Sequence, residues 1–280
     1  MASFALLGEK LGHSLSPQLH AAIYRQLGIT DAEYRAVEVP GDNLADFFAG
    51  FAAGAFDGIN ITIPYKAAAI EFLQEIDSKA RLLNAVNCVH RHMGDLKGYN
   101  TDTLGFAYSL RRNRIELEQA DCAIIGAGGS AQAVAAVLAE GGVRCVKIAN
   151  RTLEKANRLS MLIEKVNPQI QTELVSVEQL SGMKLDLLVN TTSVGMHPSV
   201  EQTPLPDMNF ADIGAVVDLI YNPLQTRLLQ EASQAGAKTI NGLEMLVAQA
   251  VYSVEIWMGG NIVSKVDMQA LTAELEAHFS

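Results

Sequence analysis

Asp121-Cys122-Ala123-Ile124-Ile125-Gly126-Ala127-Gly128-Gly129-Ser130-Ala131 decides how this chain is read. An apolar run ends in glycines that fit G-x-G-x-x-A, with Gly126, Gly128 and Ala131 at the defining positions and Ala127, Gly129 and Ser130 completing the turn. The first glycine permits a tight turn, the second lets backbone approach a pyrophosphate, and the small third residue allows close helix–strand packing. The Ala/Val-rich stretch Ser130–Glu140 then reads as a helix whose N-terminal N–H groups face the phosphates. A glycine turn by itself also fits an ordinary strand–helix connection. An apolar strand before it and a helix after it point instead to a dinucleotide site.

The end of the next strand sharpens that reading. NAD sites place an acidic residue about 20 residues on, at the ribose hydroxyls. Here the strand Val143–Ala149 ends in Asn150-Arg151-Thr152, with Lys155 one turn later and no acid at the tip. A 2′-phosphate would meet the Arg151 guanidinium, the Thr152 hydroxyl and the N–H groups of the following helix, and Arg suits bidentate phosphate binding. The plainer alternative for Arg151 is a solvated strand-end charge. The expected cofactor is NADP.

Working outward, strand-like runs (Phe4–Leu7, Gly58–Ile61, Cys122–Ile125, Leu185–Asn190, Ala215–Leu219) alternate with helix-like stretches (Pro17–Leu27, Leu44–Phe51, Leu153–Val166, Thr226–Ala235, Leu243–Met258). This alternation predicts an α/β fold with parallel sheets covered by helices. A break near Gly98–Leu104, followed by a helix at about Thr103–Arg112, separates two blocks. The expected domains are 1–101 joined by the C-terminal helices 243–280, and 102–242.

The 280 residues hold 21 Lys and Arg against 31 Asp and Glu, a net charge of −10. That balance, without a basic run, argues against a nucleic-acid partner. No apolar stretch approaches the roughly 18 residues of a membrane span. The N-terminal MASFALLGEKLGHS lacks a basic start and a cleavage site, so no signal peptide is expected. Cys88, Cys122 and Cys145 are odd in number and widely spaced, as expected of reduced thiols in a cytoplasmic protein. His90 and His92 are two apart on a strand with no third ligand nearby, so no metal site is expected. Trp257 and Met258 end a helix and read as packing residues.

Three motifs in the first block carry further polar residues. In His13-Ser14-Leu15-Ser16-Pro17, Ser16 can cap the helix that Pro17 opens, or both hydroxyls with the helix N–H groups can hold a carboxylate. In Asp57–Lys66 (DGINITIPYK), a strand ends and the chain turns at Pro64, which predicts Lys66 in a helix's first turn, where the dipole disfavours a cation. Asn87 and Asp102, in Asn84–Asn87 and Gly98–Asp102, can each be read as an Asx turn or as a site residue.

Together these runs resemble the shikimate dehydrogenases: HSLSP at 13–17, DGINITIPYK at 57–66, AVN at 85–87, GYNTD at 98–102, GAGGSA at 126–131, NRT at 150–152, NTTSVGM at 190–196, DLIYNP at 218–223 and NGLEMLVAQA at 241–250. The resemblance covers nearly the whole chain in order. It implies an N-terminal α/β substrate domain, a Rossmann-type NADP-binding domain and an active site in a cleft between them. It implies reduction of 3-dehydroshikimate to shikimate with NADPH, in aromatic amino-acid biosynthesis. By matching positions, Ser14 and Ser16 hold the substrate carboxylate. Thr62, Lys66, Asn87, Asp102, Tyr221 and Gln249 surround the ring, with Lys66 and Asp102 the catalytic pair. Gly126–Ala131 and Asn150–Thr152 with Lys155 bind the dinucleotide, and Leu219, Gly242 and Met245 lie near its nicotinamide. One departure stands out: the family commonly has glycine before AVN, and Asn84 here is expected to put a side chain near the substrate.

The chemistry agrees with this resemblance. A ketone oxygen gains negative charge as hydride reaches its carbon, so a cationic proton donor is needed. Lys66 can supply both charge and proton, and Asp102 can orient it. Two other readings compete: a quinate/shikimate dehydrogenase using NAD or both cofactors, and a non-catalytic nucleotide-binding relative. A sensor has no need of both Lys66 and Asp102. The expected partner is a small-molecule substrate, and a homodimer is the expected assembly.

Overall fold

The structure, a computed structural model, describes residues 1–12 and 14–279. His13 of the 13–17 motif lies outside the described residues. In chain order the elements begin β1 (Ala2–Gly8), α1 (Ser16–Leu27), β2 (Ala32–Glu38), α2 (Leu44–Gly50), β3 (Gly58–Ile61), β4 (Glu75–Ile76), α3 (Ser78–Leu83), β5 (Cys88–His92) and β6 (Asp95–Tyr99). There follow α4 (Asp102–Arg112), β7 (Asp121–Ile125), α5 (Gly129–Glu140), β8 (Cys145–Ala149), α6 (Leu153–Val166), β9 (Gln171–Val175), β10 (Leu185–Asn190), β11 (Ile213–Asp218), α7 (Arg227–Gln234), β12 (Lys238–Ile240), α8 (Leu243–Met258) and α9 (Met268–Glu276). Two compact units result: Met1–Gly105 with Val247–His278, and Phe106–Leu246. Both divisions fall inside helices, so Asp102 at the start of α4 and Gln249 in α8 go with the first unit.

The second unit is a sheet in the order β12-β11-β10-β7-β8-β9, with every adjacent pair parallel. That is the doubly wound order, and it reverses between β7 and β10, where such sheets bind ligands outside the carboxyl ends of their strands. Its central strands are buried on both faces and read as continuous apolar runs. β9, QTELV, is an edge strand with mixed exposure, so its sequence carried no such signal.

The first unit's sheet runs β2-β1-β3-β5-β6-β4. It is not wholly parallel: β5 pairs antiparallel with both β3 and β6. A two-residue hairpin at Met93 and Gly94, both at positive φ (52° and 94°), the left-handed geometry that suits tight hairpins, turns β5 back into β6 and makes that pair antiparallel. β2, AEYRAVE, is again a partly exposed edge strand. One core packs Leu7, Phe48, Phe51, Ile59, Val86, Val89 and Leu96. On the sheet's other face, Trp257 of α8 stacks on Phe4 at 4.7 Å and donates from Nε1 to the Val89 carbonyl at 3.0 Å. The three cysteines are free and buried. Among the described residues, no helix is long and apolar enough to cross a membrane.

Gly58 is what lets that tryptophan lie against β3, because a Cβ there would come within 2.4 Å of the indole. Overpacking of this kind costs about 1–3 kcal/mol. Gly58→Ala is expected to lower unfolding stability by that amount in urea denaturation. Stability equal to that of the parent would contradict this packing.

Candidate active site

Lys66 does not open a helix. Residues 63–67 form turns, and a short 3-10 helix, Ala68–Phe72, comes after them. Lys66 is instead fixed through its backbone, whose carbonyl accepts the Val86 N–H at 2.8 Å. That bond brings the end of the 57–66 motif beside the 85–87 motif. Asn87 in turn donates its backbone N–H to Tyr99, and its carbonyl accepts from Ile61. Three separate motifs therefore meet through main-chain bonds before any side chain is considered.

Their side chains form one polar cluster. Lys66 Nζ donates to Asp102 Oδ2 at 2.6 Å, with the two side chains only 14% and 8% exposed. Asn87 Nδ2 donates to the other carboxylate oxygen, Oδ1, at 2.8 Å. The Asn87 amide is held the right way round because its Oδ1 accepts the Thr101 N–H at 2.7 Å. Among the described residues neither Asn87 nor Asp102 makes an Asx turn; both side chains bond within the cluster. Asp102 lies in the first turn of α4, where the helix dipole favours a carboxylate. Gln249 reaches the cluster from α8, its Oε1 lying 3.4 Å from Asn87 Nδ2. Thr62, half-buried at the end of β3, donates its N–H to Leu7.

Ser16 is the first residue of α1, not its cap; Leu15 holds the cap position without a side-chain bond. Ser14 Oγ accepts the Ser16 N–H and donates to Ser16 Oγ, both at 3.2 Å. The two hydroxyls thus sit side by side at a helix N-terminus. Asn84, at φ 48° and ψ 38°, is the left-handed C-cap of α3, a conformation Asn tolerates, and its side chain is exposed. His90 and His92 stand on β5 with ring centroids 6.2 Å apart.

In the second unit the glycine turn fits a dinucleotide. Gly126 adopts φ 101°, and a Cβ there would collide with Thr191 Oγ1 at 2.6 Å. Gly128 faces open space, so its backbone is bare toward an incoming phosphate, and it caps α5. Ala131 is fully buried. Past β8, Asn150 donates to the Thr152 carbonyl at 2.8 Å, which shapes the turn. The Thr152 hydroxyl makes no cap bond to α6. Arg151 and Lys155 are exposed, and neither has an ion-pair or hydrogen-bond partner among the described residues. Two unpaired cations and an unused hydroxyl at a helix N-terminus suit a phosphate. The residues present therefore fit NADP.

Sequence reasoning did not single out Asp218, which is fully buried at the end of β11. Its oxygens accept from Asn190 Nδ2 (3.0 Å), the Ile220 N–H (3.1 Å) and Thr226 Oγ1 (2.7 Å). Asn190 Oδ1 binds the N–H and hydroxyl of Thr192. This pair shapes the strand ends that carry Leu219 and Tyr221. Gly242 closes the same corner, since a Cβ there would fall 2.0 Å from the Leu219 carbonyl. Tyr221 belongs to this unit, with its phenol pushed up by burial, and Met245 is buried at the start of α8.

Residues 6–89 match the shikimate dehydrogenase substrate binding domain, and residues 109–211 match shikimate/quinate 5-dehydrogenase. The shikimate dehydrogenase (NADP(+)) of Bacillus subtilis (strain 168) is 38% identical over 260 residues, 91% of each chain. This chain belongs to the shikimate dehydrogenase family. The crystal structure of shikimate 5-dehydrogenase from Thermus thermophilus, in complex with NADP(H) and shikimate, is 34% identical with a TM-score of 0.85, covering 98% of this chain and 99% of that one. A 5-ketofructose reductase of Gluconobacter sp. strain CHM43 is also similar, 33% identical with a TM-score of 0.85 and 99% coverage of both. The shikimate dehydrogenase fold is thus shared by a reductase named for another ketone.

Burial pushes the Asp218 carboxyl from 3.8 up to about 6, against three hydrogen bonds that favour the charged form. A carboxyl raised on folding contributes stability that is complete below its unfolded value and is lost as pH climbs through its folded one. Relative to Asp218→Asn, the wild type is expected to lose about 3 kcal/mol of stability between pH about 4 and about 7. Urea denaturation at a series of pH values reads this, and a difference between the two proteins that is flat with pH would contradict it.

Proposed function

We propose that this chain reduces 3-dehydroshikimate to shikimate with NADPH, reversibly, in the cytoplasmic route to aromatic amino acids. The observation that carries the proposal is the Lys66–Asp102 pair, held by Asn87 and nearly out of water, in the same unit as the paired hydroxyls of Ser14 and Ser16. A ketone substrate needs a proton donor, and a carboxylated one needs an anion site. The hydroxyl pair with the α1 N–H groups argues for a carboxylated ring over an uncharged sugar ketone.

In this mechanism Ser14 and Ser16 hold the substrate carboxylate, and Thr62, Asn87, Tyr221 and Gln249 contact the ring and its hydroxyls. Lys66 sets its ammonium at the ketone oxygen, stabilises the charge that gathers there and gives up a proton to it. Asp102 orients that ammonium and accepts from a neighbouring substrate hydroxyl. The Gly126–Ala131 turn would hold the pyrophosphate of NADP, and Arg151, Thr152, Asn150 and Lys155 its 2′-phosphate. Leu219, Gly242 and Met245 would line the nicotinamide end. When bound, the cofactor supplies the hydride. We assign substrate binding to the unit that holds Asp102 and Gln249, Met1–Gly105 with Val247–His278, and cofactor binding to Phe106–Leu246, and a homodimer as the assembly.

Lys66→Ala is expected to lower kcat by about 100- to 10,000-fold, the usual range for a lost general acid. An unchanged kcat would remove Lys66 from the mechanism, and a change in KM alone would reduce it to an anchor. Arg151→Ala is expected to raise the KM for NADPH about 10-fold or more while leaving that for NADH unmoved. Equal effects on both cofactors would count against a 2′-phosphate contact.

A further inference from the structure

Behind the Lys66–Asp102–Asn87 cluster lies a second tier of buried polar side chains that the mechanism does not use. Ser253 of α8 is fully buried, one turn beyond Gln249. Its hydroxyl donates to the Gln249 carbonyl at 2.9 Å, the backward bond a helical serine commonly makes. That leaves two lone pairs to accept. Asn60 Nδ2 fills one at 2.8 Å, and the Thr101 hydroxyl lies 3.2 Å from the other.

With the Ser253 proton on Gln249, Thr101 is the donor of the bond between the two hydroxyls, and Asn60 fixes the rest of the tier. Asn60 cannot be reversed, because its Nδ2 also donates to the Asn87 carbonyl (3.1 Å) and its Oδ1 accepts from the Tyr34 hydroxyl (3.0 Å). Tyr34 is itself held in place by stacking on His20, with centroids 3.7 Å apart and planes 6° apart. With the Thr101 proton given to Ser253, the Thr101 oxygen accepts the second hydrogen of Asn87 Nδ2 at 3.0 Å. The first hydrogen goes to Asp102 Oδ1. The two shortest bonds of Asn87 Nδ2 thus go to Thr101 and Asp102, with Gln249 Oε1 farther off at 3.4 Å, and the sequence of bonds ends at the carboxylate that holds Lys66.

We infer that Ser253 is a positioning residue for the reaction: by taking the Thr101 proton it leaves the Thr101 oxygen to accept from Asn87 Nδ2, so that an amide already oriented at its oxygen is also held at its nitrogen, and through Asn87 it aims Asp102 at Lys66. Without the Ser253 hydroxyl, the Thr101 proton turns to Asn87 Oδ1 (3.2 Å) or Gln249 Oε1 (3.5 Å), and Asn60 Nδ2 loses an acceptor. The amide that orients Asp102 is then no longer held from both sides. Ser253 touches neither substrate nor cofactor in this account, so its effect belongs in kcat and not in substrate binding.

The inference rests on the dehydrogenase reading of Lys66 and Asp102, and the wild-type rate with 3-dehydroshikimate and NADPH tests that reading separately. The test is a double-mutant cycle with steady-state kinetics. Ser253→Ala is expected to lower kcat about 5-fold in the wild-type background, a coupling usual for residues in one hydrogen-bond network, and to leave the KM for 3-dehydroshikimate within about 2-fold. In an Asn87→Ala background the same change is expected to move kcat by less than about 1.5-fold, because the group through which it acts is gone. Ser253→Thr, which keeps the hydroxyl, is expected to restore most of the rate. Tyr34→Phe keeps the stacked ring and removes the far donor together with a hydroxyl contact to Ser16, so it is read in kcat and its dependence on Asn87, not in KM. It is expected to show the same dependence on Asn87 with a smaller effect, and it serves as the reading if Ser253→Ala does not fold. Equal losses in both backgrounds would show a packing role only and overturn the inference, as would an undiminished kcat for Ser253→Ala.

Discussion

The first unit depends on one constraint: a lysine and an aspartate 2.6 Å apart with little water around them. Such a pair is favourable only when its geometry is good and its remaining valences are met, since taking two charges out of water is costly. Here Asn87 meets the second carboxylate oxygen, the N-terminal turn of α4 adds a favourable dipole, and main-chain bonds from Lys66 to Val86 and from Asn87 to Tyr99 fix the loops. Motifs that lie far apart in sequence are brought into register by these bonds. The same arrangement that makes the pair tolerable makes it useful, because a cation fixed in a dry setting stabilises a developing oxyanion more than one in water.

The second unit solves a different problem with backbone. A phosphorylated dinucleotide carries its own charge, so the sheet offers a glycine turn open at Gly128, cations at Arg151 and Lys155 that have no partner among the described residues, and a corner shaped by Asp218, Asn190 and Gly242. The chain's net charge of −10 is no obstacle. A few local groups decide which anion is held, and the overall charge bears on nucleic acid rather than on small anions.

Much of this was legible in the residues, for reasons that differ by element. The core strands β7, β10 and β11 are buried on both faces and show as apolar runs, and the α5 turn shows in its glycines. The edge strands β2 and β9 are half-exposed and mixed in character, so they carry no period to follow, and neither does the Met93–Gly94 hairpin that joins β5 to β6. Lys66, Asn87 and Asp102 were marked by their motifs, but the helix expected at Lys66 is a set of turns. Thr101, Asn60, Ser253 and Asp218 were missed because a serine or asparagine acquires its role from burial, which no local pattern reports. Two signals were present: Asn60 is the one polar residue in the strand Gly58–Ile61, and Ser253 falls one helical turn after Gln249.

The most direct measurement is steady-state turnover with shikimate and with quinate, each against NADP and NAD, followed by the nicotinamide absorbance. Shikimate with NADP is expected to exceed the other three combinations in kcat/KM. A preference for quinate with NAD, or no absorbance change with any pair, would contradict it.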